Sequence, residues 1–186
     1  VKSNALLIGF LKEKTSLDGE LKKLDIELGG IISSFIKNND FKAEKGEIKS
    51  LFADKNVRNI ILVGLGEESK YSLDILSNAI ADVSKRLRDN GTGEFCICLS
   101  SFAPKFEEKE VVEKIAMSAL MGLYKFAEYK TKDKDKQKFI KEITIIYGNN
   151  KNFENEINYA SIVAEAVNKT RDLINTPPNI ATPEYV

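Results

Sequence analysis

Residues 59–100 read NIILVGLGEESKYSLDILSNAIADVSKRLRDNGTGEFCICLS, and this stretch is the most informative about the architecture. Asn59–Leu65 is an apolar run of strand length, and Glu94–Ser100 is a second. The residues between them form an apolar stripe at helical spacing that Asn90-Gly91 closes as a C-cap. The stripe consists of Leu73, Leu76, Ile80, Val83 and Leu87. A strand, a helix and a second strand predict a crossover connection between parallel strands.

The residues before this stretch continue the alternation. Ala5–Leu11 is an apolar run that predicts a strand. A helical stripe follows, with Asp18 or Ser16 as its N-cap and Asn38-Asn39 as its stop. Gly29-Gly30 interrupts the stripe and predicts a break in the helix. The stripe consists of Leu21, Leu24, Leu28, Ile31, Ile32 and Phe35.

Two further segments flank residues 59–100. Phe41–Phe52 mixes polar and apolar residues around Gly46, which favours a strand or a hairpin. On the other side, apolar residues at helical spacing predict a long, mostly buried helix that reaches Phe126–Ala127. They are Val112, Ile115, Met117, Ala119, Leu120, Met121 and Leu123.

The last third of the chain adds a loop, a strand and a helix. Lys130–Lys138 alternates in charge and predicts a solvated loop. Ile140–Tyr147 is a strand that ends at Gly148, and a helical stripe then runs from Phe153 to Ile174. Strands separated by helices predict an α/β fold whose mostly parallel sheet is covered on both faces. The length suits one domain.

Composition excludes several classes of function. The 28 basic residues balance the 28 acidic ones, so nothing indicates a nucleic-acid partner. The longest apolar runs are far shorter than the roughly 20 residues that span a bilayer, and the N-terminus lacks the pattern of a secretory signal. We therefore expect a cytoplasmic protein with no membrane partner.

The counts of histidine and cysteine narrow the chemistry further. The chain has no histidine, which removes Ser-His-Asp and Cys-His catalysis and the His-Glu-x-x-His zinc motif. Its two cysteines, Cys96 and Cys98, lie two residues apart on one predicted strand and point to the same side. Parallel side chains are poorly placed for a disulfide, so both are expected to be core thiols.

One turn resembles a phosphate-binding loop. Gly64-Leu65-Gly66 follows a strand and precedes a helix, which is where a dinucleotide fingerprint lies, but the third position is Ser69. Glu67 and Glu68 would repel a pyrophosphate there, and they complement the dipole of the following helix. A structural role is therefore the favoured interpretation of this turn.

The C-terminal segment reads Arg171-Asp-Leu-Ile-Asn-Thr-Pro-Pro-Asn-Ile-Ala-Thr-Pro183 and contains three of the four prolines. Proline lacks the backbone donor and disfavours the helical region for the residue before it. A helix that reaches about Ile174 must therefore end here and pass into an extended connector. The alternative is a frayed tail.

The sequence of this segment closely resembles the domain junction of the leucyl (cytosol) aminopeptidases. Weaker resemblances to that family lie at Gly29-Gly30, at Phe41-Lys42 with Lys45-Gly46, at Val63–Gly66, and at Tyr124-Lys125-Phe126 with Tyr129-Lys130. The resemblance implies that residues 1–170 are the N-terminal, non-catalytic domain, a macro-like three-layer α/β/α sandwich. Residues 171–186 would then be the junction to a C-terminal catalytic domain.

The resemblance also implies an activity. Family enzymes release N-terminal amino acids from peptides with two divalent metals (zinc, manganese or magnesium), which a Lys, three Asp and a Glu of the catalytic domain hold. They form hexamers. None of those motifs occurs in this sequence, and Asn175-Thr176 belongs to the junction because Pro177 follows it. We therefore expect no catalytic, cofactor-binding or metal-binding residue here, and an inactive fragment that serves assembly and regulates access to the active sites.

Two alternatives remain. The first is a macro-like module that binds ADP-ribose or a related nucleotide at the carboxyl ends of the strands. The second is a purely structural interaction domain.

Overall fold

The fold is a five-stranded mixed sheet with helices on both faces. The computed structural model describes residues 3–17, 19–38, 40–53, 57–129, 137–148 and 151–182. The strands are β1 (Ser3–Leu11), β2 (Ile48–Phe52), β3 (Val57–Gly66), β4 (Glu94–Cys98) and β5 (Glu142–Ile146), in the order β2-β3-β1-β4-β5. The predicted α/β class is confirmed.

The sheet is parallel except at one edge. Strand β1 pairs in parallel with β3 and with β4, and β4 pairs in parallel with β5. Strand β2 is antiparallel to β3, because only residues 53–56 join them and a parallel pair needs a much longer crossover. The segment Phe41–Phe52 is therefore a strand only from Ile48, and its hairpin partner is β3.

Helices form the two outer layers. One layer holds α1 (Gly19–Glu27) and α2 (Ile31–Lys37). The other holds α3 (Leu73–Asn90), α5 (Glu108–Gly122) and α6 (Glu154–Asn175), and the short α4 (Leu99–Phe102) follows β4. Side chains of β1 alternate between the layers, since Leu7 and Leu11 join one core cluster while Leu6, Ile8 and Phe10 join the other. The three-layer α/β/α prediction is confirmed.

The break at Gly29-Gly30 is confirmed and has a local cause. Both glycines have positive φ, at 78° and 77°, so the chain turns left-handed between α1 and α2. Gly30 has no side chain with which to cap α2. The carboxylate of Asp25 takes that role, because its Oδ1 accepts hydrogen bonds from the backbone N–H of Ile32 at 2.8 Å and of Ser33 at 3.3 Å.

The outcome for the caps of these helices is mixed. Helix α2 ends at Lys37 with Asn38 as its C-cap, as predicted. The candidate N-cap Asp18 and the second stop residue, Asn39, lie outside the described residues.

Three predicted elements are shorter than expected. The long helix ends at Gly122 and not at Phe126–Ala127, and Gly122 lies so close to α3 that an added Cβ would be 2.7 Å from the Cα of Ala81. Strand β4 stops at Cys98, where α4 begins. The Ser101 hydroxyl donates a hydrogen bond to the carbonyl of Cys98 at 2.7 Å. Strand β5 spans only Glu142–Ile146. Most of the predicted loop Lys130–Lys138 lies outside the described residues.

The C-terminal helix confirms the predicted stop. Helix α6 ends at Asn175, and Thr176 is extended, with φ −69° and ψ 129°.

Cys96 and Cys98 are both buried and free, as expected for core thiols. No helix within the described ranges is long and apolar enough to cross a membrane.

Candidate interdomain junction and carboxyl-edge cleft

The carboxyl end of α5 is the meeting point of three helices. Arg88 of α3 donates from Nη1 to the carbonyl of Leu123 at 3.1 Å, and Arg171 of α6 donates from Nη1 to the carbonyl of Met121 at 3.0 Å. The last turn of a helix has unpaired carbonyls and a partial negative charge. Two guanidinium groups satisfy both properties, and they stabilise this end of the helix.

Tyr124 follows this end of α5 and is held from three sides. The guanidinium carbon of Arg171 lies 5.4 Å from the centre of its ring, a cation–π contact. Its hydroxyl donates to Asp172 Oδ1 at 2.9 Å and accepts from Asn175 Nδ2 at 3.2 Å. Desolvation raises the pKa of the Tyr124 hydroxyl, and the neighbouring Asp172 raises it further.

The junction peptide itself is ordered by hydrogen bonds. The carbonyl of Asp172 accepts from Thr176 N at 2.9 Å and from Thr176 Oγ1 at 2.7 Å, and Thr176 is buried. Beyond it, the carbonyl of Pro177 accepts from the backbone N–H of Ile180 and of Ala181. The peptide therefore leaves α6 in a defined direction as far as Thr182.

The structure thus brings together two stretches that resemble the family, and one of them is the junction segment. Tyr124 comes from one of them, and Arg171, Asp172 and Asn175 come from the other. Sequence reasoning missed Arg88 as a member of this group. It lies on a predicted helix with nothing in its local pattern to separate it from a solvated arginine, yet only 7% of it is exposed.

The predicted turn at Gly64-Leu65-Gly66 is the end of β3, and protein atoms fill the space beside it. A Cβ on Gly64 would lie 2.1 Å from the carbonyl oxygen of Glu44, so the glycine is needed for the loop of residues 43–47 to pack on β3. Gly66 has φ 79°, and its N–H donates to the carbonyl of Ala43. These contacts with residues 43–47 give the two glycines a packing role.

Glu67 and Glu68 act differently from the expectation. Helix α3 begins at Leu73 and is capped by Ser72, whose Oγ accepts from Ile75 N. The two glutamates lie one short turn earlier, so they do not complement its dipole. Glu67 pairs with Lys70 at 2.8 Å, which lowers the pKa of its carboxyl, and Glu68 pairs with Lys14 at 2.6 Å.

A cleft opens at the carboxyl edge of the sheet. Strands β1 and β4 are neighbours, yet the chain leaves β1 toward α1 on one face and leaves β4 toward α5 on the other. Such a switch point leaves a crevice at the carboxyl ends of the strands, where α/β proteins bind ligands. The cleft holds about 460 Å³ and is lined by Gly9, Leu11, Lys14, Ser100, Glu108 and Lys151.

The donor set does not fit a two-metal centre. No group of three or more His, Cys, Asp or Glu side chains is placed to hold a metal ion among the residues that the structure describes. The carboxylates near the cleft are paired with lysines, as Glu108 is with Lys151 at 2.6 Å.

Comparison with known sequences gives one family. The family model of the N-terminal domain of the cytosol aminopeptidase family matches residues 7–133. The "Probable cytosol aminopeptidase" of Sulfurihydrogenibium sp. is 32% identical over 186 residues, a match that covers 97% of this chain and 36% of that protein. Its counterpart in Rickettsia felis is 29% identical over 187 residues and is covered to 37%. The chain thus spans little more than a third of these relatives.

Solved structures share the fold. A tomato leucine aminopeptidase mutant superposes with a TM-score of 0.79 at 23% identity, and the match covers 100% of this chain and 38% of that one. The bottromycin maturation enzyme BotP in complex with Mn gives a TM-score of 0.74 at 17% identity, over 98% of this chain and 34% of that one. At these identities the likeness is evidence of a common fold.

Proposed function

This chain belongs to the cytosol aminopeptidase family and matches its N-terminal domain, and we therefore propose that it is the non-catalytic domain of a metal-dependent leucyl aminopeptidase. The full-length enzyme would release N-terminal amino acids from peptides in the cytoplasm. It would work as a homo-hexamer, with no nucleic-acid or membrane partner. The relatives' names support the activity, and their greater length leaves room for a catalytic part.

The observation that carries the proposed role is the network at the end of α6. Side chains of α3 and α6 converge on Tyr124 and on the backbone carbonyls at the carboxyl end of α5. The last turn of α6 is thereby built into the domain, although helix ends usually fray. A rigid exit fixes the orientation of whatever follows it. We therefore assign this domain to positioning and assembly, with residues 171–186 as the junction.

The metals belong elsewhere in this proposal. Two divalent ions (zinc, manganese or magnesium) would polarise the scissile carbonyl and activate a water. We place their ligands in the C-terminal catalytic domain, and we assign no catalytic, cofactor or metal residue to this chain. The complex of BotP with Mn supports metal dependence, because BotP contains a domain of this fold.

An activity assay tests the proposal. The purified chain is incubated with a leucine anilide and added Mn²⁺ or Zn²⁺, and we expect no turnover above buffer. Contaminating host peptidases are the obvious artefact, so activity is followed across successive columns. Turnover that co-purifies with the chain at constant specific activity would overturn the assignment of a non-catalytic domain.

A second experiment tests the positioning role. The Tyr124→Phe variant loses both hydroxyl contacts, and we expect faster amide hydrogen exchange at residues 173–176 with no change in β1. Tyr159→Phe is the matched control, because Tyr159 is an exposed tyrosine on α6. In the full-length enzyme, Tyr124→Phe should lower the hexamer fraction or kcat/KM more than the control does. Equal behaviour of the two variants would remove Tyr124 from this role.

A further inference from the structure

The cleft at the carboxyl ends of β1 and β4 lies at the opposite end of the domain from the junction. Strand β5 points toward the cleft edge, and α6 then runs back over 22 residues, a length of about 33 Å, to Asn175. A domain that follows the junction is therefore attached far from the cleft.

The lining of the cleft has charges of both signs. Lys14 lies on one rim, and Glu108 and Lys151 lie on the other. Lys14 and Lys151 are about half exposed and form surface ion pairs, with Glu68 and Glu108. Such exposed pairs contribute little to stability, so a ligand group can exchange for either partner at small cost.

The floor of the cleft supplies shape more than polar contacts. The N–H of Gly9 already donates to Ser101 Oγ at 2.9 Å, and that hydroxyl donates to the carbonyl of Cys98. Apolar atoms of Leu11, Leu21 and Pro104 line much of the rest, together with the uncharged Ser16 and Ser100. The volume of about 460 Å³ falls in the usual range for ligand pockets. Recognition of charge must therefore come from the rim.

These features discriminate between ligand classes. A phosphate ester would place two negative charges beside Glu108, with Glu68 close behind Lys14. A ligand with one carboxylate and one ammonium can pair its carboxylate with a lysine and its ammonium with Glu108. An apolar side chain on that ligand would meet the apolar part of the lining.

We propose that this cleft binds a free, zwitterionic α-amino acid. The choice of an amino acid among zwitterions rests on the proposed function, since an aminopeptidase releases one at every turnover. The carboxylate pairs with Lys151, the ammonium pairs with Glu108, and the side chain lies against Leu11 and Leu21. The product of the enzyme thus has a site on the domain that carries no catalysis.

Binding is measured by titrating L-leucine into the ¹⁵N-labelled chain of 186 residues at constant ionic strength. Saturable shifts are expected at the amides of Gly9, Ser100, Ser101 and Gly148. Two analogues each remove one charge: 4-methylpentanoate lacks the ammonium, and 3-methylbutylamine lacks the carboxylate. Each should bind more weakly by about two- to fivefold, the effect of one exposed ion pair.

Two variants assign the charges. Lys151→Met should weaken leucine and 4-methylpentanoate by about two- to fivefold. Glu108→Gln should weaken leucine but not 4-methylpentanoate, because that analogue has no ammonium to lose. Lys169→Met is the control, an exposed lysine on α6 with no part in the cleft, and it should leave both affinities unchanged.

Three outcomes overturn the inference. They are the absence of saturable shifts in a well-dispersed spectrum, inorganic phosphate binding at the same amides more tightly than leucine, and equal affinity for leucine and both analogues. The first of these, with peptidase activity intact in the full-length enzyme, rejects the cleft and leaves the proposed function standing. Turnover by the isolated chain rejects the proposed function without touching the binding result.

Discussion

Gly64→Ala separates a packing role for the glycine-containing turn from a ligand-binding role. The new Cβ would lie 2.1 Å from the carbonyl oxygen of Glu44 and 2.8 Å from the carbonyl carbon of Ala43. Both neighbours are backbone atoms, and real Cβ contacts closer than 3.0 Å essentially do not occur. The loop of residues 43–47 must therefore retreat from β3 by roughly 1 Å.

The size of the effect follows from what this retreat breaks. Gly64 N donates to the carbonyl of Glu47 at 2.7 Å, and Gly46 N donates to the carbonyl of Gly64 at 3.0 Å. Overpacking costs about 1–3 kcal/mol, and each lost backbone hydrogen bond costs about 1 kcal/mol. We expect the free energy of unfolding to fall by about 3–5 kcal/mol. For a chain of this size the midpoint temperature should drop by roughly 6–20 °C.

Urea and thermal unfolding followed by circular dichroism measure this change. Gly93→Ala is the matched control, because a Cβ there meets no atom within 4 Å and the residue does not have positive φ. The control should be within about 0.5 kcal/mol of the parent, or slightly more stable through its stiffer unfolded chain.

A Gly64→Ala protein within about 1 kcal/mol of the control would refute the packing argument. If that stable variant also lost affinity for a nucleotide that the parent binds, the turn would be a phosphate loop after all. Shifts from ADP-ribose clustered at Gly64–Ser69 in the parent would point the same way.

Two further predictions concern stability. Asp25→Ala removes the acceptor for the N–H groups of Ile32 and Ser33, so the free energy of unfolding measured in urea should fall by about 1–2 kcal/mol. The control Asp40→Ala, at an exposed site, should have little effect. The hydroxyl of Tyr71 is buried and donates to the carbonyl of Phe102 at 2.7 Å, and burial raises its pKa. The unfolded tyrosine ionises near pH 10, so this group stabilises the fold fully below about pH 10 and loses that contribution as the pH rises further. Tyr71→Phe should be less stable at neutral pH and should lose less stability between about pH 9 and pH 11 than the parent does, as measured by urea unfolding. An unchanged alkaline slope would show that Tyr71 does not titrate with unfolding.

Local pattern was sufficient for most elements. The apolar runs at Ala5–Leu11 and Asn59–Leu65 are strands, and the stripe from Leu73 to Leu87 is a helix that ends at the predicted glycine. These elements follow from the spacing of apolar residues, and each element repeats that spacing several times along its length. The helix break at Gly29-Gly30 follows from the conformational freedom of glycine. The helix end before Pro177 follows from the restricted backbone of proline, and both effects are local.

The errors lie where a specific side-chain contact competes with the pattern of apolar and charged residues. The apolar stripe of α5 continues past Gly122, but the helix stops there, and guanidinium groups from α3 and α6 bind the carbonyls of Leu123 and Met121. Strand β4 stops at Cys98, whose carbonyl accepts a hydrogen bond from the Ser101 hydroxyl. Glu67 and Glu68 looked suited to a helix dipole, yet Lys70 and Lys14 hold them.

The amino-acid order alone was enough to predict the α/β class, the succession of elements and, through Arg171–Pro183, the family. Periodicity and backbone stereochemistry depend on residues within one turn or one strand, so their effects can be predicted from a single sequence. Two groupings needed the folded chain. Tyr124 is held by junction residues such as Asp172, 48 positions away, and Lys14, Glu108 and Lys151 line one cleft. Both groupings depend on the strand order and on which face each helix covers, and these are set by the packing of the whole core.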